Sequence, residues 1–599
     1  MASTKNASPW SSVQLHPTSG LDTRSRPADL APGWLRYALN FAVTTDGKRC
    51  RRDGFDLAFS DLLFDNNGVS LSAPGDHQGI FLHNGDLHHQ GMTRTTPMML
   101  FESTDNTGIR RLFAGTQSSI FLLNETTAYW TTLIQGKGAP GSYWQAAELQ
   151  NVVSFTNDVD NVQTYNIDTT AVSEIHDLRD TLKVTKARVI VQFNGFMMVM
   201  NVLQDGKRQR SRILWSDLNL PMSWDPGAGN NTLAGFQDLD YGDEILAAAP
   251  MLGALYVLTR RSIWRVTVGG TPGPFQFTRV YNEPKNQTGC IVYPRTLVSD
   301  GENLWYGSRD AIYNYNPYIP APERQDWLFK ASGVIFRKAD TMLTGTNCAA
   351  PVAEYRPSTK ELWFSWPSVG NPTNNWTLVA MTEFKTADIV DAGFTAISNY
   401  RRTPTSGLCQ EVQSLLAFSS YDWCIKDIGG VFFREYAIID ASGDITIDLP
   451  LDAPPAQYVQ IGYNSILRGL VPTGLFDREK IIRNLQVETD VTEQDVPCVI
   501  RLRLGNTYGL QDPNDVDDVC SVLWRTMPDL PLKCPDGMKV SAMKAKNLRP
   551  NFGTEWAVYE MGRYLYWELT ILNADGTPAV GGDACLSTIS FEIMARAKA

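Results

Sequence analysis

Apolar residues occur in short runs along most of the chain, and neighbouring runs are separated by a short polar or glycine-containing turn. The run Ile80–Leu82, for example, is followed by Asn84-Gly85. This dipeptide favours a two-residue hairpin turn because both of its residues tolerate a positive φ. The pattern predicts many short antiparallel strands and therefore an all-β fold class.

The strand–turn–strand unit recurs with a step of roughly 50 residues, as four-stranded propeller blades require. Its copies lie at 112–122, 152–165, 196–215, 255–264, 304–313, 352–364 and 416–433. Stacking blades around an axis covers faces that a single blade leaves in water. We therefore predict a β-propeller of about six to eight blades over residues 61–440. A run of ordinary hairpins in sandwiches is the alternative.

The two ends of the chain have different patterns. After residue 440, apolar and polar residues alternate regularly, as in Gly443–Leu449, Val499–Leu504, Tyr564–Leu569 and Ile589–Ile593. This alternation predicts a C-terminal antiparallel β-sandwich over residues 441–599. Residues 1–60 have little periodicity, and Trp34–Phe41 is compatible with one or two helical turns. We interpret residues 1–60 as an arm that docks on another surface.

Composition and charge limit the classes of function. The chain has 599 residues, of which 43% are hydrophobic, and 53 Lys and Arg stand against 64 Asp and Glu, a net charge of −11. An acidic chain is a poor candidate for gripping nucleic acid. Two small basic clusters, Lys48–Arg52 and Lys207–Arg212, are interpreted as protein-contact or solvated charges.

Targeting segments and cysteine spacing point to a cytoplasmic site of synthesis. The sequence contains no recognisable secretory signal and no apolar run long enough for a transmembrane helix. Nine scattered cysteines without a C-x-x-C motif predict reduced, mostly buried thiols and synthesis in a cytoplasm.

Two groups of residues are candidate metal ligands. His83, His88 and His89 flank the Asn84-Gly85 turn, and Asp512–Asp518 is an acidic loop with oxygen ligands suited to Ca²⁺. We favour a solvated hairpin for the first and a solvated turn for the second, because neither has the full ligand pattern of a known site. We predict no metal and no cofactor.

Catalytic motifs do not stand out in the sequence. It contains no H-E-x-x-H, no G-x-S-x-G and no G-x-x-x-x-G-K-[ST], and no histidine follows His176. Ser299–Trp305 differs in spacing from the Asp-box of sialidases. We predict that the protein is not an enzyme, although paired-carboxylate chemistry stays open.

Four short motifs near the N-terminus resemble a known opening. They are Gly20–Thr23, Leu30–Gly33, Ala38–Phe41 and Arg51–Phe55, and Gly562–Tyr564 followed by an alternating strand adds a similar ending. This series resembles β-propeller tail proteins of tailed bacteriophages, and within them the tail nozzle proteins, or tail tubular protein B, of short-tailed phages. Some members of that group are longer and carry tip insertions that this chain lacks.

The resemblance implies a structural virion protein of the phage tail. It implies a homohexamer that docks on the portal-adaptor (head-to-tail connector), contacts tail fibres or tip proteins, and conducts double-stranded DNA during ejection without binding it specifically. An acidic lumen would repel phosphate and let DNA pass. The protein would be made and assembled in the bacterial host cytoplasm and then reside in the virion.

The arm and the C-terminal region are the predicted docking surfaces. The candidate inter-subunit or adaptor contacts are Leu21, Asp22, Trp34, Asn40, Arg51, Arg52, Phe55, Arg563 and Tyr564. The alternative function is a glycan-binding or glycan-cleaving propeller that recognises the host. A cellular scaffold propeller that binds peptides is a third hypothesis.

Overall fold

In a computed structural model of the chain, nearly all regular structure is β-strand. The described residues are 11–25, 30–31, 33–44, 47–52, 54–57, 63–64, 82–83, 86–87, 93–94, 98–105, 108–124, 129–139, 141–229, 231–269, 273–284, 289–333, 336, 351–357, 359–367, 374, 376–390, 393–398, 414–418, 424–430, 433–435, 458–460, 465–471, 480–491, 498–507, 523–527, 530–532, 551–562, 564–573, 576 and 584–595.

The N-terminal hundred residues contribute short strands. They are β1 (Ser11–Leu15), β2 (Gly20–Leu21), β3 (Trp34–Leu39), β4 (Phe41–Val43), β5 (Arg49–Arg51), β6 (Gly54–Leu57), β7 (Leu63–Phe64), β8 (Leu82–His83), β9 (Asp86–Leu87) and β10 (Thr93–Arg94). The expectation of helical turns at Trp34–Phe41 was wrong. Asn40 has a φ of 57° and separates β3 from β4, which belong to different sheets, so the segment forms two strands instead of helical turns.

Four antiparallel four-stranded sheets follow in sequence order. The first contains β11 (Met99–Thr104), β12 (Arg110–Gly115), β13 (Ile120–Asn124) and β14 (Tyr129–Ile134). The second contains β15 (Gln145–Leu149), β16 (Val152–Thr156), β17 (Gln163–Asn166) and β18 (Ala171–Glu174). The third contains β19 (Val184–Phe193), β20 (Phe196–Gln204), β21 (Lys207–Trp215) and β22 (Gly235–Asp238). The fourth contains β23 (Ile245–Met251), β24 (Ala254–Thr259), β25 (Ser262–Val268) and β26 (Phe275–Asn282).

Three further sheets follow, and the last one borrows a strand from the N-terminus. The fifth contains β27 (Val298–Ser299), β28 (Leu304–Gly307) and β29 (Ile312–Tyr315). The sixth begins with β30 (Val352–Arg356), β31 (Glu361–Trp366), β32 (Trp376–Met381) and β33 (Thr386–Val390). The seventh contains β34 (Phe394–Ser398), β35 (Ser414–Phe418) and β36 (Cys424–Gly430), and β6 is its fourth strand.

Helical structure is brief in the described residues. The helix α1 spans Asp326–Ala331, a π-turn spans Asp177–Thr181, and 3₁₀ turns span Asp240–Gly242 and Pro294–Thr296.

Most of the C-terminal strands build two larger sheets, whereas, among the described strands, β37 and β38 pair only with each other. The strands are β37 (Phe433–Glu435), β38 (Tyr458–Gln460), β39 (Ser465–Leu470), β40 (Lys480–Val491), β41 (Cys498–Thr507), β42 (Leu523–Thr526), β43 (Leu530–Leu532), β44 (Asn551–Gly562), β45 (Tyr564–Asn573) and β46 (Ala584–Ala595). One sheet has the order β4-β5-β46-β40-β44, with β1 also paired to β46. The other continues the sixth sheet in the order β33-β3-β39-β45-β41-β42, with β2 on β3 and β43 on β41.

The first strands of the seven smaller sheets touch each other in a closed circuit. Strand β11 contacts β15, β15 contacts β19, β19 contacts β23, β23 contacts β27, β27 contacts β30, β30 contacts β34, and β34 contacts β11. Neighbouring sheets share their cores. One cluster, for example, joins Met198 and Ile213 of the third sheet to Leu255 and Val257 of the fourth. From the first sheet to the sixth, each sheet therefore shares a buried core with the next, which no sheet could bury alone.

Six of the seven predicted hairpins are confirmed. Strands β12 and β13, β16 and β17, β20 and β21, β24 and β25, β28 and β29, and β30 and β31 pair in the expected order. In the seventh copy, 416–433, β35 pairs with β36, but Gly429 and Gly430, expected to form a turn, belong to β36. Strands β41, β45 and β46 coincide with three of the predicted C-terminal alternations, whereas Gly443–Leu449 lies outside the described residues. Buried residues of both large sheets, including Leu485, Phe591, Leu502 and Leu569, belong to one core.

Candidate functional site

A central cavity of about 330 Å³ lies where the first strands of the seven sheets meet. Its wall takes residues from, or beside, the first strand of every sheet, namely Leu100, Gln145, Val189, Ala248, Leu297, Glu354 and Ala396. Most of the residues that line this wall are apolar, and Arg295 and Glu354 are its one basic and one acidic side chain.

Arg295 lies in the 3₁₀ turn before β27 and reaches across to two other sheets. Its Nη2 donates hydrogen bonds to the carbonyl oxygen of Met98, at 2.5 Å, and to that of Thr395. The guanidinium also lies 5.0 Å from the ring centre of Tyr143. Burial lowers the pKa of Arg295 to about 10, and Tyr143 opposes that shift. Arg295 thus connects the fifth sheet to the seam between the first and the seventh.

Glu354 is the acidic group of the cavity wall. It lies on β30, and burial raises the pKa of its carboxyl to about 8, although a hydrogen bond from the backbone of Tyr355 opposes the shift. Such a carboxyl exchanges its proton near neutral pH. The residues that line this wall include no histidine, cysteine or serine.

A second cluster of ionisable groups, which we call the arm cluster, forms where the N-terminal arm crosses the sixth sheet. Arg49 forms an ion pair with Asp388 of β33, and both side chains are fully buried. Arg49 also donates from Nε to the carbonyl oxygen of Pro17, at 2.5 Å, and from Nη2 to Oγ1 of Thr386, at 3.1 Å. Burial lowers the pKa of Arg49 and raises that of Asp388, and their mutual attraction opposes both shifts.

Two more arm arginines belong to the arm cluster. Arg51 donates from Nε to Oγ of Ser465 at 2.8 Å, and Arg52 pairs with Glu361 at 2.8 Å. Arg356 approaches the same carboxylate at 3.5 Å. Burial alone would raise the pKa of Glu361, but the charges of Arg52 and Arg356, with hydrogen bonds donated by Arg52 and Trp363, lower it to about 2. The basic cluster Lys48–Arg52 is therefore largely buried and ion-paired within the chain, not solvated.

The described contacts of the other predicted docking residues also lie within the chain. Leu21 and Asp22 are buried, and Oδ1 of Asp22 accepts hydrogen bonds from the backbone N–H groups of Arg24 and Ser25. Trp34 lies 4.9 Å from Nζ of Lys330, measured to the ring centre, and the buried Asn40 donates its N–H to the carbonyl of Ile389.

The remaining candidates are less fully described. Phe55 belongs to β6 and Tyr564 begins β45, whereas Arg563 lies outside the described residues. That any of the nine candidates contacts another subunit stays a prediction.

A disulfide corrects the expectation that the cysteines are reduced. Cys50 of β5 and Cys585 of β46 lie opposite each other in the sheet and are joined by a disulfide. Of the other cysteines, Cys290 is a buried free thiol whose pKa burial raises strongly. The scattered spacing gave no sign of the pair, because 535 residues separate its members.

The candidate metal ligands are not tested. His88, His89 and Asp512–Asp518 lie outside the described residues, and of His83 only the backbone in β8 is described. Within the described ranges, no group of three or more His, Cys, Asp or Glu side chains could hold a metal ion.

None of the described helices is long and apolar enough to cross a membrane.

Sequence inspection missed Arg295, Glu354 and Asp388, because each is a single charged residue in an ordinary strand or turn. The stretch Ser299–Trp305, rejected as an Asp-box, does form a compact turn. Oδ2 of Asp300 accepts a 2.7 Å hydrogen bond from the Trp305 indole, and Oδ1 accepts backbone bonds from Glu302 and Asn303.

Comparison with known proteins gives only distant likenesses. No family model matches the chain, and no curated protein matches it. Among solved structures, the chain is similar to the extracellular domain of a hybrid two-component system from B. thetaiotaomicron, with 12% identity, a TM-score of 0.29, and coverage of 65% of this chain and 42% of the other.

A second similar structure is PorZ, a bacterial surface component of the type-IX secretion system of Porphyromonas gingivalis. It has 8% identity and a TM-score of 0.33, with coverage of 63% of this chain and 41% of the other. The chain therefore spans less than half of either protein, and scores this low carry no argument about function.

Proposed function

We propose that this chain is a structural subunit of the tail nozzle of a short-tailed bacteriophage, built as a seven-bladed β-propeller with an attached β-sandwich. The observation that carries the proposal is the position of the motif-bearing arm. Its strands β1 to β5 extend both large sheets, and its strand β6 completes the seventh small sheet. The residues that resemble the nozzle opening thus hold the two parts of the molecule together.

The closed circuit of first strands supports the propeller. In a propeller, the innermost strands of successive blades surround a central channel, and an N-terminal strand that completes the last blade closes the ring. The cavity lined by all seven sheets and the pairing of β6 with β36 fit that geometry.

Charge supports a role as a conduit. Each chain carries −11, so a hexamer multiplies an acidic surface that repels DNA phosphate. A structural role also agrees with Arg295 of the cavity wall, which bonds to carbonyl groups beside the first sheet and in the seventh.

The proposal is tested by electron microscopy of the purified chain, alone and mixed with the portal-adaptor protein of the same phage. We expect rings of six copies below the adaptor, and we expect filter binding to retain no double-stranded DNA at physiological salt. Monomers only, with the adaptor present, would contradict the nozzle role. Tight, sequence-independent DNA retention would contradict the conduit.

A further inference from the structure

The exposed apolar side chains of the described residues are concentrated on the third and fourth sheets. Leu218, Leu220, Met222, Leu233, Phe236, Leu252 and Val268 are all more than a third exposed. The other exposed large apolar side chains are Ile109, Val172, Tyr318 and Phe384, each on or beside a different sheet. Clustered exposed apolar groups mark interaction surfaces, whereas single ones need no explanation.

The clustered residues lie at one end of the two sheets. In the third sheet, the N–H of Asn219 donates to the carbonyl of Gly195 in the turn between β19 and β20. In the fourth, Leu252 lies in the turn between β23 and β24, and Val268 ends β25. A groove of about 860 Å³ opens at this end, with Leu233–Asp238 on one side and Gly273–Phe277 on the other.

Two edge strands form the sides of this groove. Strand β22 is the last strand of the third sheet and β26 is the last strand of the fourth, so each has one edge without a partner among the described strands. Such an edge presents free backbone N–H and C=O groups that can pair with an added strand.

The side chains of the groove are aromatic and acidic. Phe236 is 51% exposed, and the Arg212 guanidinium lies 4.7 Å from its ring centre. Arg212 is held there by two hydrogen bonds to Asp238, of 2.7 and 2.6 Å. Asp240 also lines the groove, is exposed, and has no ion-pair partner among the described residues. The groove therefore favours an occupant that is apolar and positively charged.

A second copy of the chain fits this chemistry poorly. In a two-fold pairing, the groove of a second copy would place its acidic side chains, Asp238 and Asp240, against the same side chains of the first. The opposite ends of the same sheets carry charged side chains, among them Lys207, Arg208, Arg260 and Arg261. Two copies would thus oppose apolar groups to charges, or acidic groups to acidic groups.

We propose that this groove binds an extended segment of another protein, one that carries apolar and basic side chains and pairs with β22 or β26 as an added strand. Apolar side chains of the segment cover Phe236 and Leu233, and its cations face Asp240. This docking site is independent of the nozzle role, because it rests on the groove itself and not on hexamer formation.

The test uses two synthetic peptides of equal length, one alternating valine with lysine and the other alternating valine with glutamate. We expect fluorescence anisotropy to show saturable binding of the lysine peptide to the full chain. Binding of the glutamate peptide should be weaker by about tenfold or more. Phe236→Ser and Asp240→Lys should each weaken the binding of the lysine peptide by about tenfold, as truncation of a central contact does.

Val172→Ser is the matched control, because Val172 is exposed on β18 of the second sheet, away from the groove. Unchanged thermal midpoints show that the variants still fold. Equal binding of both peptides, absence of binding, or an equal loss with Val172→Ser overturns the proposal. Self-association in sedimentation that Phe236→Ser abolishes would identify a second copy as the occupant and would also overturn the proposal. Binding of an oligosaccharide in the groove, instead of a peptide, would overturn it as well.

Discussion

At the scale of single residues, the arm cluster shows how charge is handled inside this protein. Arg49 and Asp388 are both fully buried, and removing two charges from water costs more than their attraction returns unless further hydrogen bonds satisfy them. The carbonyl of Pro17 and the hydroxyl of Thr386 accept hydrogen bonds from Arg49. The pair therefore stabilises one arrangement of arm and sixth sheet over others.

We predict that Arg49→Met lowers the free energy of unfolding by about 3–5 kcal/mol, because it leaves Asp388 buried without its cation. The double variant Arg49→Met/Asp388→Leu should lose clearly less than the sum of the two single variants. Urea denaturation measures both effects. Arg261→Met, at an exposed position of the fourth sheet, is the control and should change stability by less than about 0.5 kcal/mol. A loss below that level for Arg49→Met would contradict the prediction.

The raised pKa of Glu354 should make the stability of the protein depend on pH in the opposite direction to the effect of an ordinary ion-paired carboxylate. Its pKa is raised to about 8 from an ordinary value of 4.5, so between these values the unfolded chain releases a proton that the folded chain keeps. Stability should therefore fall as pH rises through this window, by at most about 1.4 kcal/mol per pH unit.

Glu354→Gln should flatten that part of the stability profile, measured as thermal midpoints from pH 5 to pH 8. Glu302→Gln, in an exposed turn, is the control. Glu361 does not change the stability between pH 5 and pH 8. Its pKa is lowered to about 2, so the stability it provides is lost only as pH falls below the ordinary pKa of 4.5. An unchanged slope in Glu354→Gln would show that another group is responsible.

At the scale of elements, the decisive feature is the seam between the first and seventh sheets. Strands β11 and β34 are in contact there although their residues are far apart in the chain. Arg295, from the turn before β27, bonds to carbonyls on both sides of the seam. One side chain of the fifth sheet thus reinforces the closure of the circuit.

Arg295→Met should open this seam locally. Each lost hydrogen bond leaves a carbonyl without its charged donor, so we expect a loss of about 2–3 kcal/mol in stability. Hydrogen exchange should become faster in peptides covering β11 and β34 and stay unchanged in β20 and β24. Arg309→Met, at an exposed turn of the fifth sheet, is the control. Uniformly faster exchange in all seven sheets would argue against a local role.

At the scale of the whole molecule, strand pairing and a disulfide both join the N-terminal arm to the last strand of the chain. Strands β1 and β5 both pair with β46, and the disulfide between Cys50 and Cys585 crosses the β5–β46 pair. Disulfides persist in oxidising surroundings, which include the surfaces of virions as well as secreted proteins. Synthesis in a reducing cytoplasm, as predicted, would therefore require this bond to form after release from the cell.

Removing the disulfide should destabilise the protein by about 2–4 kcal/mol, because the bond restricts the unfolded chain. Digestion without reductant, followed by mass spectrometry, should identify a peptide pair that contains Cys50 and Cys585. Dithiothreitol should lower the thermal midpoint of the wild type but not that of Cys50→Ser/Cys585→Ser. If the reductant lowered the thermal midpoints of both proteins equally, the disulfide would not contribute to stability.

The sequence by itself determined the local β structure. Alternating apolar residues and turn residues such as Asp205-Gly206 produce hairpins such as β20–β21, because the partners are neighbours in the chain. The same signal located β41, β45 and β46. The resemblance of the Arg51–Phe55 motif to a known family, and not this signal, drew attention to Arg51 and Arg52, although as contacts with other subunits.

Only the tertiary structure decided how distant strands meet. Strand β6 pairs with β36, β3 lies between β33 and β39, and Cys50 meets Cys585, across separations that leave no local pattern. Such pairings depend on which edges and faces remain uncovered after the hairpins form, a property of the assembled sheets and not of any short segment. For the same reason, Arg295, Glu354 and Asp388 became recognisable only once the sheets had brought their partners within reach.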